Sequence, residues 1–114
     1  MSELLELQFE FARMIPKLFN EVFLLGFECT EGDAFRDPRV HGELGVKLGY
    51  GHKNSAHKNK LAIDINLFKA GKFLGDTEAH RLIGEWWEQQ HPLARWGGRF
   101  ADGNHYSFEY KGIK

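Results

Sequence analysis

The segment Leu61-Ala-Ile-Asp-Ile-Asn-Leu-Phe68 is the feature that most restricts how this chain can fold. Leu61, Ile63, Ile65 and Leu67 alternate with Ala62, Asp64, Asn66 and Phe68. A period of two predicts a strand that turns its large aliphatic side chains to one face and Ala62, Asp64 and Asn66 to the other. Such a strand needs a cover for its apolar face, and the start of the chain supplies one. Leu4, Leu7, Phe11, Met14, Leu18, Val22 and Leu25 recur every three or four places, with Phe9, Ile15 and Phe19 widening the stripe. That is the period of an amphipathic helix over residues 3–25 with Gly26 as its stop. Pro16 falls inside it and either kinks one helix or opens a second as its first-turn residue. The polar face carries no basic excess, so the stripe reads as core packing rather than membrane docking.

The remaining segments follow from turn chemistry and alternation. Phe27–Thr30 predicts a short strand. Residues 31–51, broken by Gly32, Asp33, Pro38, Gly42, Gly45, Gly49 and Gly51, predict a long loop. Lys69–Lys72 predicts a turn. Asp76 or Thr77 can cap a helix of residues 77–90, which Pro92 ends. Residues 95–104 predict a glycine-rich loop, and His105–Tyr110 a last strand. The order helix, strand, loop, strand, helix, strand predicts an α+β fold with a small central antiparallel sheet and flanking helices. A chain of 114 residues predicts one domain, spanning 1–114.

Composition removes several classes of function. Hydrophobic residues at 42% and charged residues at 27% exclude wholesale disorder. The formal net charge of -1 argues against a general nucleic-acid binder. A single cysteine, Cys29, cannot form an internal disulfide and reads as a buried thiol. No apolar run reaches the ~18 residues of a membrane span, so no stable membrane insertion is expected. Between Val46 and Lys60 stand Lys47, Lys53, Lys58 and Lys60 without an acid, either a solvated loop or a surface that attracts anionic polymers.

Chemistry concentrates around Asp64. A carboxylate on an otherwise apolar strand is costly unless something pairs with it. His57 stands seven residues earlier in the loop that feeds the strand, and imidazole and carboxylate are both good zinc ligands. A third ligand is needed, and two segments share an acid-x-x-His spacing. Glu88-Gln-Gln-His91 ends a charged amphipathic helix and reads as solvated. Asp102-Gly-Asn-His105 follows Trp96-Gly-Gly-Arg-Phe100 and enters a strand that can lie beside the first, so it is the favoured pair.

Ser55-x-His57-(x)6-Asp64 followed later by Asp102-x-x-His105 resembles the zinc D-Ala-D-Ala carboxypeptidase and dipeptidase family. The closer likeness is to the phage L-alanyl-D-glutamate endopeptidases, the small endolysins, through Trp96-Gly97-Gly98 and the use of Asp rather than Glu as the acid. The resemblance spans roughly Thr30 to Glu109. It implies a small DD-peptidase/Hedgehog-like α+β domain. It also implies a single zinc ion held by His57, Asp64 and His105, with Asp102 as general base and Arg36 stabilising developing charge. Ser55 would support the ligands by hydrogen bonding. Trp96 would line a substrate groove or else belong to the core. The family motif carries glycine where this chain has Lys60, and Glu109 does not align with the glutamate that often follows the last histidine.

The expected function is hydrolysis of amide bonds in peptidoglycan stem peptides by a zinc metallopeptidase, of the endolysin type. The alternatives are a D-Ala-D-Ala carboxypeptidase of the same family and a non-catalytic, zinc-stabilised cell-wall-binding module. The expected partner is the stem peptide, with no nucleic acid, and the expected state is a monomer. Acids at Glu3, Glu6 and Glu10, with no early Lys or Arg and no continuous apolar centre, do not resemble a secretory leader. Synthesis in the cytoplasm and action on the wall after release are therefore expected.

Overall fold

A computed structural model describes residues 2–32 and 55–114. The first helix, α1, spans Glu3–Leu24, with the Ser2 hydroxyl accepting a hydrogen bond from the Leu5 N–H at 3.1 Å. Leu7, Phe11, Met14, Leu18 and Val22 form its buried stripe, spaced as the sequence predicts. Of the two readings of Pro16, one continuous helix holds: the proline lies inside α1 on the exposed face. There the carbonyl that loses its helical partner can be hydrated. Gly26 at φ +89° ends the helix in the left-handed conformation expected of a glycine stop, and the Phe27 N–H returns to the Val22 carbonyl at 3.1 Å.

Among the described residues five antiparallel strands follow: β1 Glu28–Glu31, β2 Ala62–Lys69, β3 Lys72–Leu74, β4 Ala94–Trp96 and β5 His105–Phe108. The sheet runs β1-β2-β5-β4, and β3 pairs with β2. Leu67 pairs with Cys29 on one side and Leu74 on the other, so β3 shares an edge of β2 with β5. β5 occupies that edge along Ala62–Asp64 and β3 along Leu67–Lys69, which leaves a fork at Ile65 and Asn66. The fold is thus α+β, a small antiparallel sheet flanked by helices.

Three elements differ from the sequence reading. The turn at Lys69–Lys72 joins a true hairpin, because Lys72–Leu74 pairs back on β2. Part of the expected loop after residue 94 is strand β4, held to β5 through Ala94↔Phe108 and Trp96↔Tyr106. The expected helix of residues 77–90 begins as a 3₁₀ turn, Thr77–His80, and becomes α-helical as α2 only over Arg81–Gln89. Asp76 sits at the cap position, but its carboxylate makes no capping hydrogen bond.

Aromatic side chains join the layers. Phe11 of α1 meets Phe108 edge-on at 5.1 Å and Trp87 of α2 at 5.9 Å. The Trp87 indole N–H points at the Arg95 and Ser107 carbonyls, both at 3.1 Å, so α2 is fastened to β4 and β5. Leu61, Ile63, Ile65 and Leu67 are all buried against this cluster. Among the described residues no helix is long and apolar enough to cross a membrane.

Candidate metal centre

With the aliphatic residues of β2 committed to the core, Ala62, Asp64 and Asn66 occupy the opposite face. The β2–β5 register places Asp64 directly across from His105. Directly opposed residues on an antiparallel pair hold their Cβ atoms about 4.5–5.5 Å apart, so the carboxylate and imidazole meet without help from a loop. His57 comes from the 3₁₀ turn Ala56–Asn59, capped by the Ser55 hydroxyl, which accepts from the His57 N–H at 3.2 Å. Lys60 ends that turn at φ 59°, a left-handed conformation. The resembled family has glycine at this position, so the chain takes the glycine-like conformation with a lysine, at a cost of roughly 1–2 kcal/mol.

His57 Nε2 lies 3.1 Å from Asp64 Oδ1, and His105 Nδ1 lies 3.4 Å from the same oxygen. One ligand atom from each of the three residues falls within 4.8 Å of the other two. Tetrahedral zinc with ligand distances of about 2.0–2.1 Å places its ligand atoms about 3.3 Å apart, close to both of these separations. His57 and His105 are buried at 1% and 4% exposure, and their rings meet edge-on at 5.0 Å. His105 Nε2 is buried and makes no hydrogen bond among the described residues. Burial alone would raise the pKa of Asp64. Hydrogen bonds from His105 and His57, with their charge, outweigh it and hold the carboxyl down at about 2. The carboxylate is therefore ionised, as a metal ligand must be. The three residues fit a divalent cation, zinc included.

Asp102 stands beside this group, with Oδ2 3.9 Å from His105 Nδ1 and a side chain 53% exposed. Its loop is tightly specified. The Asp102 N–H donates to the Gly97 carbonyl at 2.8 Å, and the His105 N–H to the Asp102 carbonyl at 3.1 Å. A side chain at Gly97 would collide with the Asp102 carbonyl and crowd the Cβ of His105. Only glycine permits this approach, which explains the Trp-Gly-Gly sequence ahead of the acid.

Trp96 takes the core alternative. It is 3% exposed, packs against Gly84 and Gly98, and donates its indole N–H to the Gly103 carbonyl at 2.7 Å. It braces the loop between Asp102 and His105 and offers no surface to a ligand. The exposed aromatic at the site is instead Phe100, edge-on to His105 at 5.7 Å. The sequence reading did not single out Phe100; an apolar residue among glycines and charges in Trp96-Gly-Gly-Arg-Phe100 is the signal that could have found it.

The other acid-x-x-His segment goes elsewhere. His91 stacks on Phe108 at 4.3 Å and approaches Glu10 at 3.2 Å, while Glu88 pairs with Arg99 at 2.7 Å. That hydrogen bond lowers the pKa of Glu88. Arg36 lies outside the described residues, as do Lys47 and Lys53. Cys29 is half-buried on β1, and burial, assisted by Glu28, raises its pKa. The thiol is thus kept protonated, in line with an inert role. Comparison with protein-family models, curated proteins and solved structures finds nothing that matches this chain.

Proposed function

We propose that the chain is a zinc-dependent peptidase acting on peptidoglycan stem peptides, of the phage L-alanyl-D-glutamate endopeptidase type that its motifs resemble. The observation that carries this reading is the convergence of His57, Asp64 and His105 with an exposed carboxylate, Asp102, 3.9 Å from one of them. His57, Asp64 and His105 would hold one zinc ion. When bound, zinc supplies Lewis acidity that polarises a carbonyl and makes a water more acidic. The chain's own groups do the rest. Asp102 takes a proton from the attacking water as the new C–O bond forms, then gives it to the amine as the C–N bond breaks. Its exposure leaves it in reach of a bound peptide, and the Gly97 hydrogen bond fixes the backbone behind it. Ser55 holds the turn that presents His57.

The test is digestion of purified cell wall and of synthetic stem peptides by zinc-loaded protein, with new amino ends identified by mass spectrometry. Asp102→Ala should lose about 10²–10⁴-fold in rate, the usual worth of a positioned acid–base group, while keeping one zinc per chain. Equal product from both proteins would overturn Asp102 as the base. Wall binding without product from either would favour the non-catalytic module.

A further inference from the structure

Two buried polar atoms beside the trio are unsatisfied. Ser107 is 0% exposed and its hydroxyl makes no hydrogen bond among the described residues, and the same holds for Nε2 of His105. A buried polar group without a partner is destabilising, so two of them within one strand call for a cause. Both lie on one face of β5. Tyr106 and Phe108 turn to the core, where each meets Trp87, so His105 and Ser107 turn to the opposite face, the side of Asp64.

The register shows what surrounds the Ser107 hydroxyl. Ser107 stands between Ala62 on β2 and Arg95 on β4. Ala62 offers only a methyl group. Arg95 turns its guanidinium to Glu109 at 2.9 Å and to the Pro92 and Ala94 carbonyls, which also engages Glu109, the next residue on this face of the chain. His105 remains as the same-face neighbour with an unsatisfied atom. Residues two apart on a strand have Cα atoms about 6.7 Å from one another, a span that an imidazole and a hydroxyl close through one bridging water. The two ring nitrogens have different surroundings. Nδ1 faces the carboxylates, 3.4 Å from Asp64 Oδ1 and 3.9 Å from Asp102 Oδ2. A histidine that ligates through Nδ1 carries its proton on Nε2, and ligating histidines almost always donate that second N–H outward, which fixes the tautomer and the angle of the ring.

We propose that Ser107 is a positioning residue for the metal centre, its hydroxyl receiving the His105 Nε2–H through one water and so holding Nδ1 in the ligating tautomer. This rests on the reading of His57, Asp64 and His105 as metal ligands and is independent of the substrate. The experiment measures zinc affinity of wild type and Ser107→Ala by competition with a chromophoric chelator, beside thermal unfolding of both metal-free proteins. Zinc should bind Ser107→Ala about 10–100-fold more weakly, the usual effect of removing an outer partner of a ligand. The metal-free variant should unfold close to wild type, which separates this loss from a packing defect. In zinc-loaded wild type, 15N NMR of the histidine rings should find the His105 proton on Nε2 and slow to exchange with solvent. Equal zinc affinity in the two proteins, or a His105 proton on Nδ1, overturns the inference and leaves the metal centre standing. Failure of wild type to bind zinc overturns the metal centre and the inference with it. If the metal-free variant unfolds early, exchange in the zinc-loaded proteins decides. Faster exchange of the His105 ring proton in Ser107→Ala, with the β5 amides unchanged, supports the role, and unchanged exchange overturns it.

Discussion

Lowering the pH from 7.5 to 4 should destabilise the protein through His80. This imidazole is 2% exposed, and its Nδ1 lies 2.7 Å from the Tyr106 hydroxyl. Burial raises the pKa of Tyr106, so the phenol keeps its proton and can donate it to Nδ1. Burial also pushes His80 down from 6.5 to about 4, against the opposing charge of Asp76. The unfolded chain thus takes up a proton near 6.5, whereas the fold resists until about 4. Stability from this residue is complete above the unfolded value, declines as pH falls through the interval, and is gone below the folded value. At 1.36 kcal/mol per unit, the decline is about 3 kcal/mol. Urea unfolding at several pH values, with wild type compared to His80→Gln, isolates the effect because other titrating groups are shared. The stability advantage of wild type should shrink by about 3 kcal/mol between pH 7.5 and 4. A difference that stays constant across this range would refute the argument.

Zinc should raise the unfolding temperature of wild type, with a stabilisation of about 2.7 kcal/mol at a free concentration one hundred times the dissociation constant. His57→Ala and His105→Ala should abolish that shift in differential scanning calorimetry. Trp96→Phe removes the indole donor and strands the Gly103 carbonyl in the interior. Denaturant titration should report a loss of about 1–3 kcal/mol, with weaker zinc binding because the same loop leads into His105. Gly84→Ala would drive a methyl into the Trp96 ring, so its unfolding midpoint should fall by the equivalent of about 1–3 kcal/mol.

Periodic segments were legible because a single burial constraint determines them. The α1 stripe at Leu7, Phe11, Met14, Leu18 and Val22 and the β2 alternation at Leu61, Ile63, Ile65 and Leu67 both emerge as read. β3 and β4 were not legible, since each is three residues long, too short for a period to show. They exist because neighbouring strands offer an edge, a tertiary cause with no local trace. The three candidate ligands were found from spacing and resemblance, but two things depend on pairing that spacing does not encode. One is the choice of His105 over His91, settled by the register that sets His105 against Asp64 while His91 stacks on Phe108. The other is Trp96, whose sequence context suits a groove equally well. Its burial follows from Gly84 and Gly98, which leave room on either side of the indole.

The Asp64↔His105 register carries a consequence for how the molecule matures. Sliding one strand past the other by a single position would point one of the two side chains to the opposite side of the sheet. A mispaired intermediate therefore cannot assemble the chelating trio. If the trio takes up a divalent ion during folding, as proposed above, that ion rewards only the correct alignment and so proofreads the sheet.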